Sequence, residues 1–150
     1  MIEILVITIS KPLLIGVYKD KKLLRKIEQN GLTSDELPIL FKDLLEEFDV
    51  KTIIYANTPG SFMSIKIAYI FLKTITMIKG IEFLAANGFL FNQNSPIKAL
   101  GKKYFINENG EIKVDFLPNM CKISDFELPK SLENINFSKD TLPIYNLPAV

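Results

Sequence analysis

Short apolar runs separated by turn residues occupy the first part of the chain. Residues 2–9 are almost all β-branched or aliphatic, which is typical of a strand buried on both faces. Two further strand-like runs, 13–17 and 23–27, lie on either side of the charged segment 19–22. Strand runs joined by a short charged turn predict a hairpin whose tip lies in solvent.

A helical period follows this predicted meander. Thr33, Ser34 and Asp35 are candidate N-caps, and Pro38 is expected in the first turn, where a helix tolerates a missing amide N–H. Apolar residues then recur every three or four positions, as a helix with one buried face requires: Leu37, Leu40, Phe41, Leu44, Leu45 and Phe48.

The next elements are a strand-like run at 51–56, a Pro59-Gly60 turn, an uninterrupted helical stretch at 61–79 and a run at 81–86. The pattern therefore predicts the order βββαβαβ. An antiparallel meander followed by two crossover units gives one mixed sheet with helices packed on it.

The helical stretch 61–79 is apolar on more than one side. We expect its core face to be formed by Ser64, Ile67, Ala68, Phe71, Ile75 and Ile78. The opposite face then mixes aromatic, aliphatic and Lys side chains: Phe62, Ile65, Lys66, Tyr69, Leu72, Lys73 and Thr76. Such a mixed face suits a partner surface, although cover by the rest of the same chain is equally compatible with the pattern.

The remainder of the chain has weaker patterns. One helical turn is expected at 88–91, and an Asn-Gly pair predicts a hairpin within 102–116. Beyond it, scattered prolines favour extended pieces laid on the body of the protein. We therefore expect an N-terminal lobe over 1–92, and a reduced second lobe followed by an extended tail over 93–150.

Composition excludes several chemistries. The chain of 150 residues has a net charge of +1, which provides no overall attraction for nucleic acid or anionic membrane. It has no histidine and a single cysteine, Cys121, so a His-based triad, a thiolate zinc site and an internal disulfide are all impossible. Lys66 and Lys73 interrupt the apolar stretch, and no secretory pattern is present, so we expect a cytoplasmic protein without a membrane span.

Residues 54–68 resemble the signature of the TsaB (YeaZ) family, Gly-Arg-Gly-Pro-Gly-Ser-Phe-Thr-Gly-Leu-Arg-Ile-Gly. Identical positions are Pro59, Gly60, Ser61, Phe62 and Ile67. Residues 142–145 are similar to the Pro-x-Tyr ending of that family. The resemblance implies an α/β protein of the actin-like, RNase-H-like ATPase fold, here as a shortened and divergent member.

Two departures from the family pattern concern chemistry. Where the family has Ile-Asp-Thr-Ser after its first strand, this chain has residues 7–10, with Thr8 in place of the acid. Where the family tends to have His-Ser-Glu, residues 33–36 lack the His. An actin-like site needs a carboxylate to hold Mg²⁺, so we expect no catalytic residue, metal or cofactor here.

The resemblance implies a scaffold role. TsaB pairs through its first two helices with TsaD, the subunit that makes N6-threonylcarbamoyladenosine at position 37 of tRNA. The expected partners are a TsaD-like subunit, a second copy when isolated, a TsaE-like ATPase, and tRNA only through the complex. The candidate partner-binding residues are Pro59, Gly60, Ser61, Phe62, Ile65, Lys66, Tyr69 and Lys73.

Other functions remain open at this point. The chain could be a divergent actin-like ATPase or a glycoprotease-like hydrolase, and the missing acid at Thr8 and the absence of histidine argue against both. A stand-alone homodimer with an adaptor role is compatible with the same sequence. The Pro-Gly-Ser turn could bring backbone N–H groups to an anion, but an ordinary tight turn capped by Ser61 is the favoured interpretation.

Overall fold

The computed structural model describes residues 1–9, 11–60, 62–117 and 122–145. Within these ranges the first sheet comprises β1 (Ile2–Ile7), β2 (Leu13–Lys19), β3 (Lys22–Gln29), β4 (Val50–Thr58) and β5 (Glu82–Asn87). The helices are α1 (Thr33–Glu47) and α2 (Phe62–Lys79), followed by a 3₁₀ turn, Gly88–Phe91. A second, smaller sheet contains β6 (Ile97–Lys98), β7 (Lys103–Glu108) and β8 (Glu111–Phe116).

The first sheet is mixed, with the spatial order β3-β2-β1-β4-β5 in the described part of the chain. β1 pairs antiparallel with β2 and parallel with β4, and β4 pairs parallel with β5. Ile4 of β1 thus lies between Val17 and Ile53. The predicted order βββαβαβ is confirmed, and so is the helical turn at 88–91.

The core lies on β1 and β4 because these central strands are covered on both faces. The side chains from Ile4 to Ile7 are fully buried, as the continuous apolar run predicts. α1 packs Leu37, Phe41 and Leu44 against this layer. The ring of Phe41 meets Phe71 of α2 edge to face, with centroids 5.9 Å apart.

The orientation predicted for α2 is wrong. Ile65, Ala68 and Leu72 are fully buried, and Thr76 is nearly so, although the sequence placed three of these on the face away from the sheet. Ile78, which was predicted in the core, is 74% exposed. The buried positions follow the spacing i, i+3, i+7, i+11, which forms one stripe on a helix.

The error has a physical cause: α2 is contacted on three sides. Phe71 points sideways to α1, whereas Tyr69 lies beside Tyr55 and Phe83, with centroids 6.3 Å from each. When a helix is apolar around most of its circumference, its sequence pattern does not show which side faces the sheet. Small Ala68 lets α2 approach the sheet closely, and periodicity does not reveal that contact.

The described part of the tail is extended and held by specific hydrogen bonds, as predicted. The Tyr18 hydroxyl donates to the Pro129 carbonyl at 2.7 Å, and the Tyr55 hydroxyl donates to the Thr141 carbonyl. Burial raises the pKa of both tyrosines far above the usual range, so both remain protonated donors. Ser138 exchanges two backbone hydrogen bonds with Ala85 of β5.

Three other expectations have different outcomes. The 102–116 hairpin is present as β7 and β8, with the turn at Asn109-Gly110. None of the three predicted caps of α1 acts as one, because the N-cap is Leu32, which makes no side-chain cap hydrogen bond. The division of the chain at 92/93 stays a prediction, and Cys121 lies outside the described residues.

The orientation of α2 predicts that truncating two nearby apolar side chains lowers the free energy of unfolding by different amounts. Leu72→Ala removes a fully buried side chain and should lower the free energy of unfolding by about 2–5 kcal/mol. Ile70→Ala removes a side chain that is 53% exposed and should change it by about 0.5 kcal/mol at most. Urea unfolding followed by circular dichroism measures both, and equal costs would contradict this orientation.

Candidate partner-binding surface

An apolar groove of about 400 Å³ runs between α1 and α2 on the outside of the protein. Its described lining consists of apolar side chains with hydroxyls among them and no charged group: Thr33, Ser34, Leu37, Pro38, Ile67, Ile70, Phe71, Thr74 and Ile75. A groove without charges and between two helices suits an apolar partner surface better than a nucleic acid or a polar ligand.

Beside this groove, α2 carries an exposed stripe of large apolar side chains. Met63, Ile70 and Met77 are 57%, 53% and 71% exposed, and their spacing of seven residues places them on one line along the helix. Ile39 of α1 is also exposed, at 61%. Ile39 does not line the groove, so we call Met63, Ile70, Met77 and the groove the helix face.

The structure separates the predicted partner-binding residues. Lys66 is exposed, at the border of the stripe, and Lys73 is half-buried. Ile65 is fully buried, so its assignment to an outward face is wrong. Tyr69 is half-buried against the rings of Tyr55 and Phe83 in its own chain, so its aromatic ring needs no partner protein to explain it.

The Pro59-Gly60 turn is explained by packing. Both residues are buried, and a Cβ on Gly60 would lie 3.0 Å from the Cβ of Ile9, tighter than most real Cβ contacts. The glycine therefore lets the turn pass against the residue that follows β1. Ser61 and the side chain of Phe62 lie outside what the structure describes, so the predictions for them remain predictions.

A cavity of about 300 Å³ lies where β1 ends, between the N-terminal ends of α1 and α2. Thr8 lines it, and the buried Oγ1 of Thr8 has no hydrogen-bond partner among the described residues. Ser64 Oγ donates to the Thr8 carbonyl, which ties α2 to the end of β1. No Asp or Glu is among the described residues that line this cavity, whereas Lys11 is.

Sequence reasoning missed Met63, Ile70 and Met77, which belong to neither of the two faces that it defined on this helix. A usable signal was present, because a seven-residue recurrence of large apolar residues marks a line along a helix. Methionine is also frequent on adaptable binding surfaces. The described helices include none long and apolar enough to cross a membrane.

Comparisons with known proteins support the fold. No family model matches the chain, and no curated protein matches it. Among solved structures, YeaZ from Pseudomonas aeruginosa is similar, with a TM-score of 0.60 and 16% identity over 76% of this chain and 63% of that one. A second is an uncharacterized protein with similarity to peptidase YEAZ from Pseudomonas aeruginosa, with a TM-score of 0.59, 15% identity and the same coverage.

These similarities establish the architecture. The predicted fold class, an α/β protein of the actin-like kind, is confirmed. Identities of 15–16% show the fold alone. The chain spans less than two thirds of the length of the structures that it matches, so their activities and partners are not thereby transferred.

One wall of the groove contains an unusual feature, a proline inside α1. Pro38 is the sixth residue of the helix rather than a member of the first turn, which corrects the prediction. Because proline has no amide N–H, it cannot donate to the carbonyl of Ser34, four residues earlier. Pro38 and Ser34 both line the groove.

Pro38→Ala should therefore stabilise the isolated protein. Proline costs about 3 kcal/mol relative to alanine within a helix. Alanine also gives the unfolded chain more conformational entropy, which lowers the free energy of unfolding by up to about 1 kcal/mol. We expect a net gain of about 2 kcal/mol in the free energy of unfolding, measured with urea. Pro129→Ala, in the extended tail, is the matched control and should give no gain. A loss of stability for Pro38→Ala would contradict this, because it would mean that Pro38 does not cost α1 the hydrogen bond to the Ser34 carbonyl.

Proposed function

We propose that this protein is a TsaB-like scaffold subunit for the synthesis of N6-threonylcarbamoyladenosine at position 37 of tRNA, working in the cytoplasm. It binds a TsaD-like subunit through the helix face. The observation that carries the proposal is the exposed line Met63-Ile70-Met77 beside an uncharged groove. The identity of the partner rests on the sequence resemblance and on the shared fold.

The helix face fits a protein partner in three respects. Exposed side chains of this size lined up beside a groove are characteristic of interaction sites rather than of ordinary surface. The groove offers holes into which side chains of an opposing helix can pack. Lys66 at the border provides the polar rim that surrounds most protein interfaces.

The same surface explains the expected self-association. A surface that buries apolar side chains against a partner tends to pair with a second copy when that partner is missing. In the cell, the TsaD-like subunit would occupy it, and a TsaE-like ATPase would join the assembled complex. tRNA would be reached only through the complex, because the net charge of +1 and the uncharged groove offer little to phosphates.

A non-catalytic role is part of the proposal. The cavity at the end of β1 presents a threonine hydroxyl where magnesium-dependent phosphoryl transfer needs a carboxylate, and its described lining contains no acid. No observation favours the alternative of an ATPase or a glycoprotease-like hydrolase.

Ile70→Glu tests the helix face. A buried charge at the centre of an interface costs about 2 kcal/mol or more, so the dissociation constant of the homodimer should rise at least about thirtyfold in analytical ultracentrifugation. Co-purification with the TsaD-like subunit of the same cell should be lost. At protein concentrations below the dissociation constant of the homodimer, the melting temperature should be nearly unchanged, because Ile70 is already half in solvent.

The matched control is Leu100→Glu, which places the same charge on a residue that is 61% exposed outside the helices. It should leave both kinds of pairing intact. Pairing that survives Ile70→Glu, or that is weakened equally by Leu100→Glu, would exclude the helix face. Ile65→Glu is not a suitable test, since a charge at this fully buried position should unfold the chain.

The purified protein should hydrolyse neither ATP with Mg²⁺ nor a peptide substrate above the buffer background. Thr8→Ala should behave as the unchanged protein does, because the hydroxyl takes no part in a reaction. Steady-state phosphate release and peptide cleavage measure these activities. Turnover that is present in the unchanged protein and lost in Thr8→Ala would contradict a non-catalytic role.

A further inference from the structure

A cavity of about 530 Å³ lies at the carboxyl ends of β4 and β5, away from the helix face. It is bounded by the ends of these two strands, the 3₁₀ turn, the hairpin and the extended tail: Asn57, Thr58, Ala85, Ala86, Asn87, Phe89, Leu90, Asn94, Asn107, Asn136, Ser138, Asp140 and Ile144. It shares no described lining residue with the groove between the helices. Its volume falls within the roughly 300–1,000 Å³ of small-molecule sites, and open α/β sheets bind ligands at this edge.

The polar lining of this cavity is rich in amides. Five asparagines contribute to it, together with the Ser138 hydroxyl and the carboxylate of Asp140. Neither Lys nor Arg is present among its described lining residues. Several of these groups already hold the wall together: Asn57 donates to the Leu142 carbonyl, and Asn87 accepts from the Phe89 N–H. Each amide keeps further donor or acceptor capacity, so the lining presents neutral polar groups and one negative charge, which matches an uncharged polar ligand and disfavours a phosphate.

One acceptor in the wall has no partner. Asn107 donates from Nδ2 to the Oδ1 of Asn94 at 2.7 Å, which fixes the direction of both amides. The Oδ1 of Asn107 is left buried with no hydrogen bond from any described residue. An unsatisfied buried acceptor of this kind costs about 1–3 kcal/mol, so this wall of the cavity is not fully satisfied by the protein's own donors.

The cavity also has apolar walls. Leu90 and Ile144 line it and are 56% and 51% exposed, while Ala85 and Ala86 lie at its base. Two aliphatic side chains beside a row of amides can cover the flat face of a ring while its edge is hydrogen-bonded. The lining thus fits a ring that has polar groups along its edge.

We infer that this cavity binds an uncharged ring with neighbouring hydroxyl groups, such as a free sugar or the ribose of an unphosphorylated nucleoside. Asparagine and aspartate side chains would pair with the hydroxyls, as a carboxylate does with a ribose 2′-hydroxyl in dinucleotide-binding folds. A nucleobase, where present, would lie against the aliphatic walls, with its edge toward the amides. The inference does not depend on the proposed pairing through the helix face.

Isothermal titration calorimetry of the intact protein with adenosine, ribose, glucose and AMP tests the inference. We expect saturable binding of at least one uncharged ring, and weaker binding of AMP than of adenosine. Adenosine binding without sugar binding identifies a nucleoside site, and equal binding of the sugars identifies a saccharide site. No saturable binding of any uncharged ring, or a preference for AMP over adenosine, would overturn the inference.

Two variants locate the binding. Asn136→Leu removes an exposed amide from the lining and should weaken binding at least about fivefold, the value of one hydrogen bond. Asn30→Leu makes the same change at an exposed position outside the cavity and should leave binding unchanged. Asp140→Asn removes only the charge, and should shift the AMP-to-adenosine affinity ratio about threefold toward AMP at low salt. Equal effects of Asn136→Leu and Asn30→Leu would place the ligand elsewhere.

Discussion

The burial of β1 between β2 and β4 is the constraint on which the rest of the structure depends. β1 is hydrogen-bonded on both edges, and Ile4 to Ile7 are covered on both faces. Every functional feature is placed relative to it: the helices lie over one face, and the cavity with Thr8 opens at its carboxyl end. Ile9, just beyond the strand, lies against two glycines: a Cβ on Gly88 would collide with its side chain, and a Cβ on Gly60 would crowd it. A polar substitution within β1 would therefore disturb the two helices and the segments that follow β4 and β5 at the same time.

The elements that follow local rules could be predicted from the sequence, and those that depend on long-range contacts could not. The order βββαβαβ, the 88–91 turn and the hairpin follow from runs, periods and the Asn-Gly pair, and each is present. The inward face of α2 was predicted wrongly, because Phe71 and Ile65 are equally apolar and only the position of α1 decides which one faces the sheet. The Asn94–Asn107 pair joins two segments that no pattern links, so nothing local indicated the amide-lined cavity.

The sequence therefore predicted that α2 carries a partner surface, but it did not predict which residues form that surface. The sequence indicated that α2 carries more apolar surface than one core requires, and the structure leaves Met63, Ile70 and Met77 exposed. The choice of Ile65 and Tyr69 as outward residues assumed that one helix has two sides. In this protein α2 is enclosed by the sheet, α1 and an aromatic cluster, so its exposed surface is a narrow line rather than half of its circumference.

The extended tail has a consequence for solubility. Open sheet edges are templates for pairing with other chains, and proteins protect them by covering or charging them. Here one segment reaches both outer strands of the five-stranded sheet: Leu23 of β3 donates to the Lys130 carbonyl, and Ala85 of β5 exchanges hydrogen bonds with Ser138. The tail occupies part of each outer edge through an isolated bridge, so any protection of these edges depends on a segment that contributes few residues to the core.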